Sequence, residues 1–199
     1  MVIYYVKDCV GSESLIPIFS VLFLPGMFLG LVIAPIFTKR FDSKTVFIGG
    51  RIFGVIVDVV FFFAGFENVG LTMFLYSLTS IPLGISSVVS GTMVTNTIEY
   101  AEWKFGNRQE GLISSTQTLT AKIGMALSAG VTGLVLEMAN YVPNQVTSET
   151  QMMIHGAFTL FCAVIGVLAI IPMLFNKFTD KEHARIVAEL AERKKQQEQ

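Results

Sequence analysis

Charge is scarce in this 199-residue chain. Only 15% of its residues are charged, whereas 52% are hydrophobic, including 17 phenylalanines. A soluble domain of this length carries roughly 25% charged residues, so the shortage argues against an ordinary soluble protein. The formal net charge of -1 supplies no basic surface for nucleic acid, and we expect no nucleic-acid partner.

Cysteine is equally scarce. Cys9 and Cys162 fit neither a disulfide framework nor the spacing of metal ligands, so we predict no metal site. Cys162 lies deep in an apolar run, where we expect a small buried hydrophobic residue. The chain also lacks a nucleophile–base pair, so we predict no catalytic residue, no enzymatic activity and no cofactor.

What the chain does contain is a series of long apolar runs. A helix needs about 20 apolar residues to cross a bilayer, and each run must be helical because lipid cannot satisfy open backbone groups. Five runs qualify, at 15–37, 46–66, 70–98, 112–136 and 152–175. Residues 1–6 read as the end of a further span. The sequence therefore predicts an all-α membrane protein with five complete transmembrane helices plus the end of a sixth.

Small residues mark faces within these spans. Gly26 and Gly30 form one small-xxx-small face, and Gly50 and Gly54 form another. Such faces let helix backbones approach closely, and we interpret both as packing surfaces.

The basic residues predict the orientation. Eleven of them fall on the same side as the C-terminal tail, and only Lys7 falls on the other side. By the positive-inside rule the tail is cytoplasmic. We divide the chain into a transmembrane bundle at 1–176 and a cytoplasmic amphipathic tail helix at 177–199.

The tail has the pattern of a short surface helix. Thr179 is followed three residues later by Glu182, a capping-box pattern. Ile186, Val187 and Leu190 are placed on a common apolar face. A regulatory helix and a merely solvated one both fit this pattern, and the polar end at 194–199 is expected to fray.

One polar face enters the membrane on the fourth span. Lys122 lies about a third of the way along this span, with Thr118 one turn before it and Gln117 beside Thr118. A cation, a hydroxyl and an amide together suit a polyhydroxylated ligand. The alternative is that Lys122 extends to the interface and only anchors the helix.

A second polar position lies on the second span. Asp58 and Arg51 are seven residues apart on one helix face, roughly 10 Å along the axis, which makes direct pairing doubtful. Arg51 is near enough to the helix end to reach the interface. Asp58 lies close to mid-membrane, and the sequence does not name its partner, so we predict a polar cavity there.

The stretch 96–124, NTIEYAEWKFGNRQEGLISSTQTLTAKIG, resembles the loop between the tenth and eleventh helices of the glycoside-pentoside-hexuronide:cation symporters. These are the family of the melibiose carriers, within the major facilitator superfamily. The positions that match the family pattern are Glu99, Tyr100, Glu102, Trp103, Lys104, Gly106, Arg108, Glu110, Gly111, Gln117, Thr118, Lys122 and Gly124. The end of the first span and the tail are also similar, so the resemblance covers essentially the whole chain.

This resemblance implies a fold and a set of sites. The spans would be helices eight to twelve in the C-terminal six-helix bundle of a major facilitator fold. The sugar site would take Gln117, Thr118 and Lys122, together with Ser87. Lys122 would lie close to the coupling-cation site. Asp58 is the second residue that we predict for cation coupling, from its own position near mid-membrane. The cytoplasmic gate would consist of Glu99, Tyr100, Glu102, Arg108 and Glu110.

Two positions depart from the family pattern. Asn96 stands where most members have an aspartate, which removes one charge from the gate network. Ser87 lies near the position where melibiose carriers place a tryptophan. The loss of a stacking ring favours a different or smaller sugar, or a uronic acid.

The sequence thus predicts the C-terminal half of a sugar:cation symporter in the cell (inner) membrane. It would move a glycoside, pentoside or hexuronide with Na⁺ or H⁺ by alternating access. Its partners would be the sugar, the cation, the lipid bilayer and a missing N-terminal six-helix half, which holds the family's cation-binding aspartates. The alternative is a truncated membrane fragment with no transport activity by itself.

Overall fold

The computed structural model describes residues 1–143 and 145–197 of the chain. A short helical segment opens the chain: α1 (Val2–Tyr4), a π-helical turn (Tyr5–Cys9) and a 3₁₀ turn (Glu13–Leu15). The remaining helices are α2 (Ile16–Thr38), α3 (Ser43–Ala64), α4 (Val69–Thr79), α5 (Ile81–Phe105), α6 (Glu110–Met138), α7 (Ser148–Phe175) and α8 (Asp180–Gln197).

The predicted fold class is confirmed. The described residues contain helices and no strand, and five of their helical stretches are long and apolar enough to cross a membrane. The helical start of the chain extends to Cys9, slightly beyond the predicted end of the first, incomplete span. Of the tail end expected to fray, residues 194–197 are helical and residues 198 and 199 lie outside the described residues.

The third predicted span is two helices rather than one. α4 ends at Thr79, and the hydroxyl of Ser80 donates to the carbonyl of Ser77 at 2.6 Å. α5 then begins with Pro82 in its first turn, where a missing backbone N–H is tolerated. The uncharged run 70–98 continues across this break, so its length and lack of charge do not reveal it.

Glycines bring α2 into backbone contact with this break. A Cβ added at Gly26 would lie 2.0 Å from the carbonyl oxygen of Ser77, and one at Gly30 would lie 2.2 Å from that of Ile81. Gly84 of α5 faces back, and its Cβ would lie 2.2 Å from the carbonyl oxygen of Met27. No side chain fits between these backbones, which confirms the packing role of the Gly26–Gly30 face.

The second glycine pair packs on the same break from α3. A Cβ at Gly54 would lie 3.0 Å from Cγ of Pro82, and one at Gly50 would lie 3.1 Å from Cγ2 of Ile85. α3 also packs along α7, where the side chain of Val55 closely approaches Gly166. The two predicted glycine faces thus converge on one short segment of α4 and α5.

α6 differs from the other spans. No residue from Glu110 to Met138 is buried, although the helix touches α5 and α7. Its serine, threonine and glycine residues are interspersed with large apolar side chains such as Leu119 and Met125, and these are exposed as well. Most of the α6 surface is therefore available to something beyond the described residues.

One end of the bundle is joined by helix caps. The backbone N–H of Ser43 donates to Oδ2 of Asp180 at 2.7 Å, and that of Asp180 donates to Oδ1 of Asp42 at 2.9 Å. Lys44 donates to the carbonyl oxygens of Leu174 and Asn176, at 3.1 and 2.8 Å. The start of α3, the end of α7 and the start of α8 therefore lie together. The side of the membrane on which they lie is still a prediction.

The opposite end is joined through Asp8. The Tyr141 hydroxyl donates to Oδ2 of Asp8 at 2.9 Å, and the Gln151 amide donates to the Asp8 carbonyl oxygen at 2.6 Å. Partial burial, reinforced by the hydrogen bond to Asp8, raises the pKa of Tyr141 to about 12. The phenol consequently stays protonated at physiological pH and continues to donate.

The close contact between α2 and α5 at Gly30 predicts that two glycine-to-alanine substitutions will differ strongly in their effect on stability. Gly30→Ala forces α2 away from Ile81, and overpacking of this kind costs roughly 1–3 kcal/mol. Gly49→Ala is the matched control, because no atom lies within 4 Å of the added Cβ. Thermal unfolding of the chain in detergent, followed by circular dichroism, should show a lower midpoint for Gly30→Ala only. Equal midpoints would contradict the proposed contact.

Candidate functional site

The polar residues predicted for the sugar site on α6 lie on an uncovered surface. Gln117, Thr118 and Lys122 are all exposed. The Thr118 hydroxyl donates to the backbone carbonyl of Ser114 at 3.0 Å, which leaves its lone pairs as acceptors. Within the described part of the chain, Lys122 has neither an ion-pair nor a hydrogen-bond partner. The polar face is present, but the described residues do not close a site around it.

Ser87 lies on α5, the helix that α6 touches, and its side chain is also exposed. The adjacent Ser86 is 6% exposed, and its hydroxyl has no hydrogen-bond partner among the described residues. Ser86 was not among the predicted site residues, because the sequence does not indicate which of two adjacent serines faces the helix bundle.

A cavity of about 780 Å³ lies between α3, α5, α6 and α7. Its walls are mostly apolar, with polar groups from Arg51, Asp58, Ser128 and Thr132. This volume is within the range of small-molecule sites. A cavity is therefore present at Asp58, but its walls are mostly apolar rather than polar. Lys122, by contrast, is not one of its lining residues.

The charges in this cavity are not paired directly. No described residue lies within ion-pair distance of Asp58, in keeping with the two-turn separation from Arg51. The Arg51 guanidinium instead lies over the Phe47 ring, with 5.3 Å from Cζ to the centroid, and its Nε has no hydrogen-bond partner in the described chain. Asp58 thus presents a carboxylate to the cavity.

Cys162 lines the same cavity and is exposed. The expectation that it would be buried was wrong. A long apolar run does not show which of its faces packs on neighbouring helices and which borders a cavity or lipid. Cys162 lies on a face that borders the cavity.

Three of the residues predicted for the gate meet where α5 turns into α6. Arg108 Nε lies 3.2 Å from Oε2 of Glu110, and Nη1 lies 3.5 Å from Oε2 of Glu102. Glu110 raises the pKa of the Arg108 guanidinium above its ordinary value. Gly106 ends α5 with a φ of 74°, a left-handed conformation that glycine adopts without strain. The turn therefore holds one cation between two carboxylates.

The remaining gate residues contact the tail helix. Glu99 is hydrogen-bonded to Nε2 of His183 on α8. Tyr100 packs edge-on against Phe178, which precedes α8, with ring centroids 5.4 Å apart. Glu99 and Tyr100 were predicted for the gate, but their partners His183 and Phe178 were not, because these lie far away in the sequence.

Trp103 extends this interface with the tail. Its indole N–H donates to Oε2 of Glu189 at 2.7 Å, and its backbone carbonyl accepts from Nη1 of Arg193 at 3.0 Å. The side chain of Ile186, on α8, is fully buried, as its periodic position predicts. Val187 was expected on the same face, but it is 39% exposed. α8 is therefore docked on the end of α5.

Comparison with known proteins agrees with this architecture. A sequence model of a family described as MFS/sugar transport protein matches residues 1–180. An uncharacterised symporter of Bacillus subtilis (strain 168) is 31% identical, over 96% of this chain and 42% of the relative. A glucuronide carrier protein homolog of Escherichia coli (strain K12) is 29% identical, over 99% of this chain and 44% of the relative.

A raffinose carrier protein of Pediococcus pentosaceus is 30% identical, over 94% of this chain and 30% of the relative. The chain thus spans less than half the length of each of these three relatives.

The docking of α8 predicts a fluorescence change at Trp103, the single tryptophan of the chain. Ile186→Ala removes a fully buried side chain, a change that typically costs about 2–5 kcal/mol, and should loosen α8. Trp103 emission should then shift to longer wavelength and become more accessible to acrylamide. Val187→Ala, one residue away and exposed, should change neither. Unchanged Trp103 emission in Ile186→Ala would show that α8 does not rest on this contact.

Proposed function

The chain belongs to the MFS/sugar transport protein family, and from this premise we propose that it forms the C-terminal half of a sugar:cation symporter. The symporter would move a glycoside, pentoside or hexuronide across the cell (inner) membrane. Na⁺ or H⁺ would drive the transport. The tail helix and the gate would face the cytoplasm, as the distribution of basic residues predicts.

The observation that carries this proposal is the uncovered polar face of α6. An ammonium group within the bilayer costs a few kcal/mol, so Lys122 requires a wet cavity or a carboxylate. No described residue supplies that carboxylate. The relatives contain more than twice the length of this chain, enough for a second bundle to cover the face. Two bundles that rock about a shared site are the basis of alternating access.

The substrate would contact α5 and α6. Gln117, Thr118 and Ser87 would exchange hydrogen bonds with sugar hydroxyls, and Lys122 would pair with a carboxylate of the substrate or of the second bundle. The names of two relatives, a glucuronide carrier homolog and a raffinose carrier, support a sugar ligand. A uronic acid suits a site that offers a lysine and no tryptophan near Ser87.

Asp58 would take part in cation coupling. Its carboxylate borders a cavity and is not neutralised by a described cation, so it can receive Na⁺ or a proton. Lys122 does not line this cavity, and a joint role requires α6 to move toward α3. The absence of buried residues on α6 supports such a movement, because little packing would be lost.

The gate would operate through exchangeable ion pairs. In this arrangement Glu99 pairs with His183, while Arg108 lies between Glu102 and Glu110. Opening toward the cytoplasm would replace these pairs, together with the Tyr100 contact, by others.

A membrane fragment without transport activity of its own is the second candidate. The same uncovered α6 and the limited coverage of the relatives favour it for the chain in isolation. The two candidates differ in what happens when a second bundle is supplied.

The test is a chimera in which this chain replaces the segment that it matches in the Escherichia coli glucuronide carrier homolog. In vesicles with a cation gradient, the chimera should accumulate labelled glucuronide. Lys122→Ala should abolish or uncouple this uptake, and Thr118→Val should weaken binding by about 0.5–1.5 kcal/mol, a typical hydrogen bond. Lys195→Ala on the tail is the matched control and should transport normally.

Normal gradient-driven uptake by the Lys122→Ala chimera would show that Lys122 is only an interfacial anchor. A chimera that inserts correctly but never transports would favour the fragment over the symporter half.

A further inference from the structure

A second, smaller pocket lies where the start of α3, the end of α5 and the linker between α7 and α8 meet. Its volume is about 360 Å³. The lining includes Lys44, Asn96, Tyr100, Lys177, Asp180 and Glu182. It is separate from the α6 face and from the Asp58 cavity, and shares only Tyr100 with the predicted gate.

Asn96 shows that the pocket is built to hold a polar group. This residue is 5% exposed and lines the pocket, yet no described residue hydrogen-bonds to its side-chain amide. Its amide is therefore available to hydrogen-bond with whatever occupies the pocket. A ligand that both accepts and donates would satisfy this amide.

The cationic side of the pocket is formed by two lysines. Lys44 donates to two backbone carbonyls and retains a third N–H. Lys177 is exposed, and its ammonium has no partner among residues 1–143 and 145–197. Both can donate to a phosphate group.

The anionic side is formed by Asp180 and Glu182. Asp180 uses Oδ2 to accept from the backbone of Ser43, and its other oxygen is left without a described partner. The Glu182 carboxylate is exposed and pairs with no cation in the described chain. Two cations and two anions around one pocket favour neither a simple anion nor a simple cation. They suit a zwitterion.

The position of the pocket indicates where such a zwitterion is abundant. α7 ends at Phe175 and α3 begins at Ser43, so the pocket lies where apolar spans give way to polar sequence. Tyr100, whose ring contacts Phe178, lies at this boundary, and tyrosine is enriched at membrane interfaces. This is the depth of lipid headgroups.

We propose that this pocket binds a phosphoethanolamine group, with the phosphate on Lys44 and Lys177 and the primary ammonium on Asp180 and Glu182. Asn96 would hydrogen-bond to the phosphate. The ammonium matters because it donates three N–H groups, whereas the trimethylated ammonium of phosphocholine donates none. The site does not depend on transport, and its test does not require a complete carrier.

The experiment is native mass spectrometry of the detergent-purified chain with phosphatidylethanolamine or phosphatidylcholine of identical acyl chains. The wild type should retain the ethanolamine lipid about tenfold more strongly, as expected for one charge-assisted hydrogen-bond pair. Glu182→Gln should remove this preference, and Lys177→Gln should weaken the retention of both lipids. Glu192→Gln, on the same helix but outside the pocket, is the matched control and should behave as the wild type.

A second arm adds soluble glycerophosphoethanolamine. Displacement of the lipid at equal concentration would assign the site to a free small molecule, and its failure to displace would assign the site to the bilayer lipid. Both results support recognition of phosphoethanolamine. Equal retention of the two lipids by the wild type, or a preference that survives Glu182→Gln, would overturn the proposal.

Discussion

At the break between α4 and α5, the α2 backbone meets the backbones of both helices, and α3 packs its glycines directly on the side chains of Pro82 and Ile85. Gly26 and Gly30 admit α2, and Gly50 and Gly54 admit α3. Because lipid is as apolar as the helices, such close packing, rather than the hydrophobic effect, holds membrane helices together. The contact fixes α2, α3 and α5 relative to one another. α7 then packs along α3, and α8 docks on the end of α5.

α6 takes no part in this glycine contact, and the proposed function depends on that. The helix combines small and polar residues with exposed apolar ones such as Leu119, none of its residues is buried, and it carries the only lysine within the predicted spans. A rigid part made of α2, α3, α5 and α7 beside a weakly packed α6 is suited to a site that changes shape during a transport cycle. The ion pairs at the helix ends would then differ between the conformations of the transport cycle.

The sequence predicts well those features that follow from local pattern. The five spans, the glycine faces and the buried Ile186 all depend on periodicity or on apolar length. The break at Ser80 is not predicted because the uncharged run 70–98 continues across it, although Pro82 lies in the first turn of α5. The reciprocal caps of Asp42 and Asp180, and the pairing of Glu99 with His183, join residues far apart in sequence, and no local pattern encodes such contacts.

The central claim is that the polar face of α6 becomes part of a sugar site once a second bundle covers it. The direct measurement is the rate at which a water-soluble maleimide labels Thr118→Cys in the chimera, with Cys9 and Cys162 replaced by serine. Substrate should slow the labelling of Thr118→Cys. The labelling rate of Leu119→Cys, at the neighbouring position that is 59% exposed, should not depend on substrate. Labelling of Thr118→Cys at the same rate with and without substrate would contradict the account.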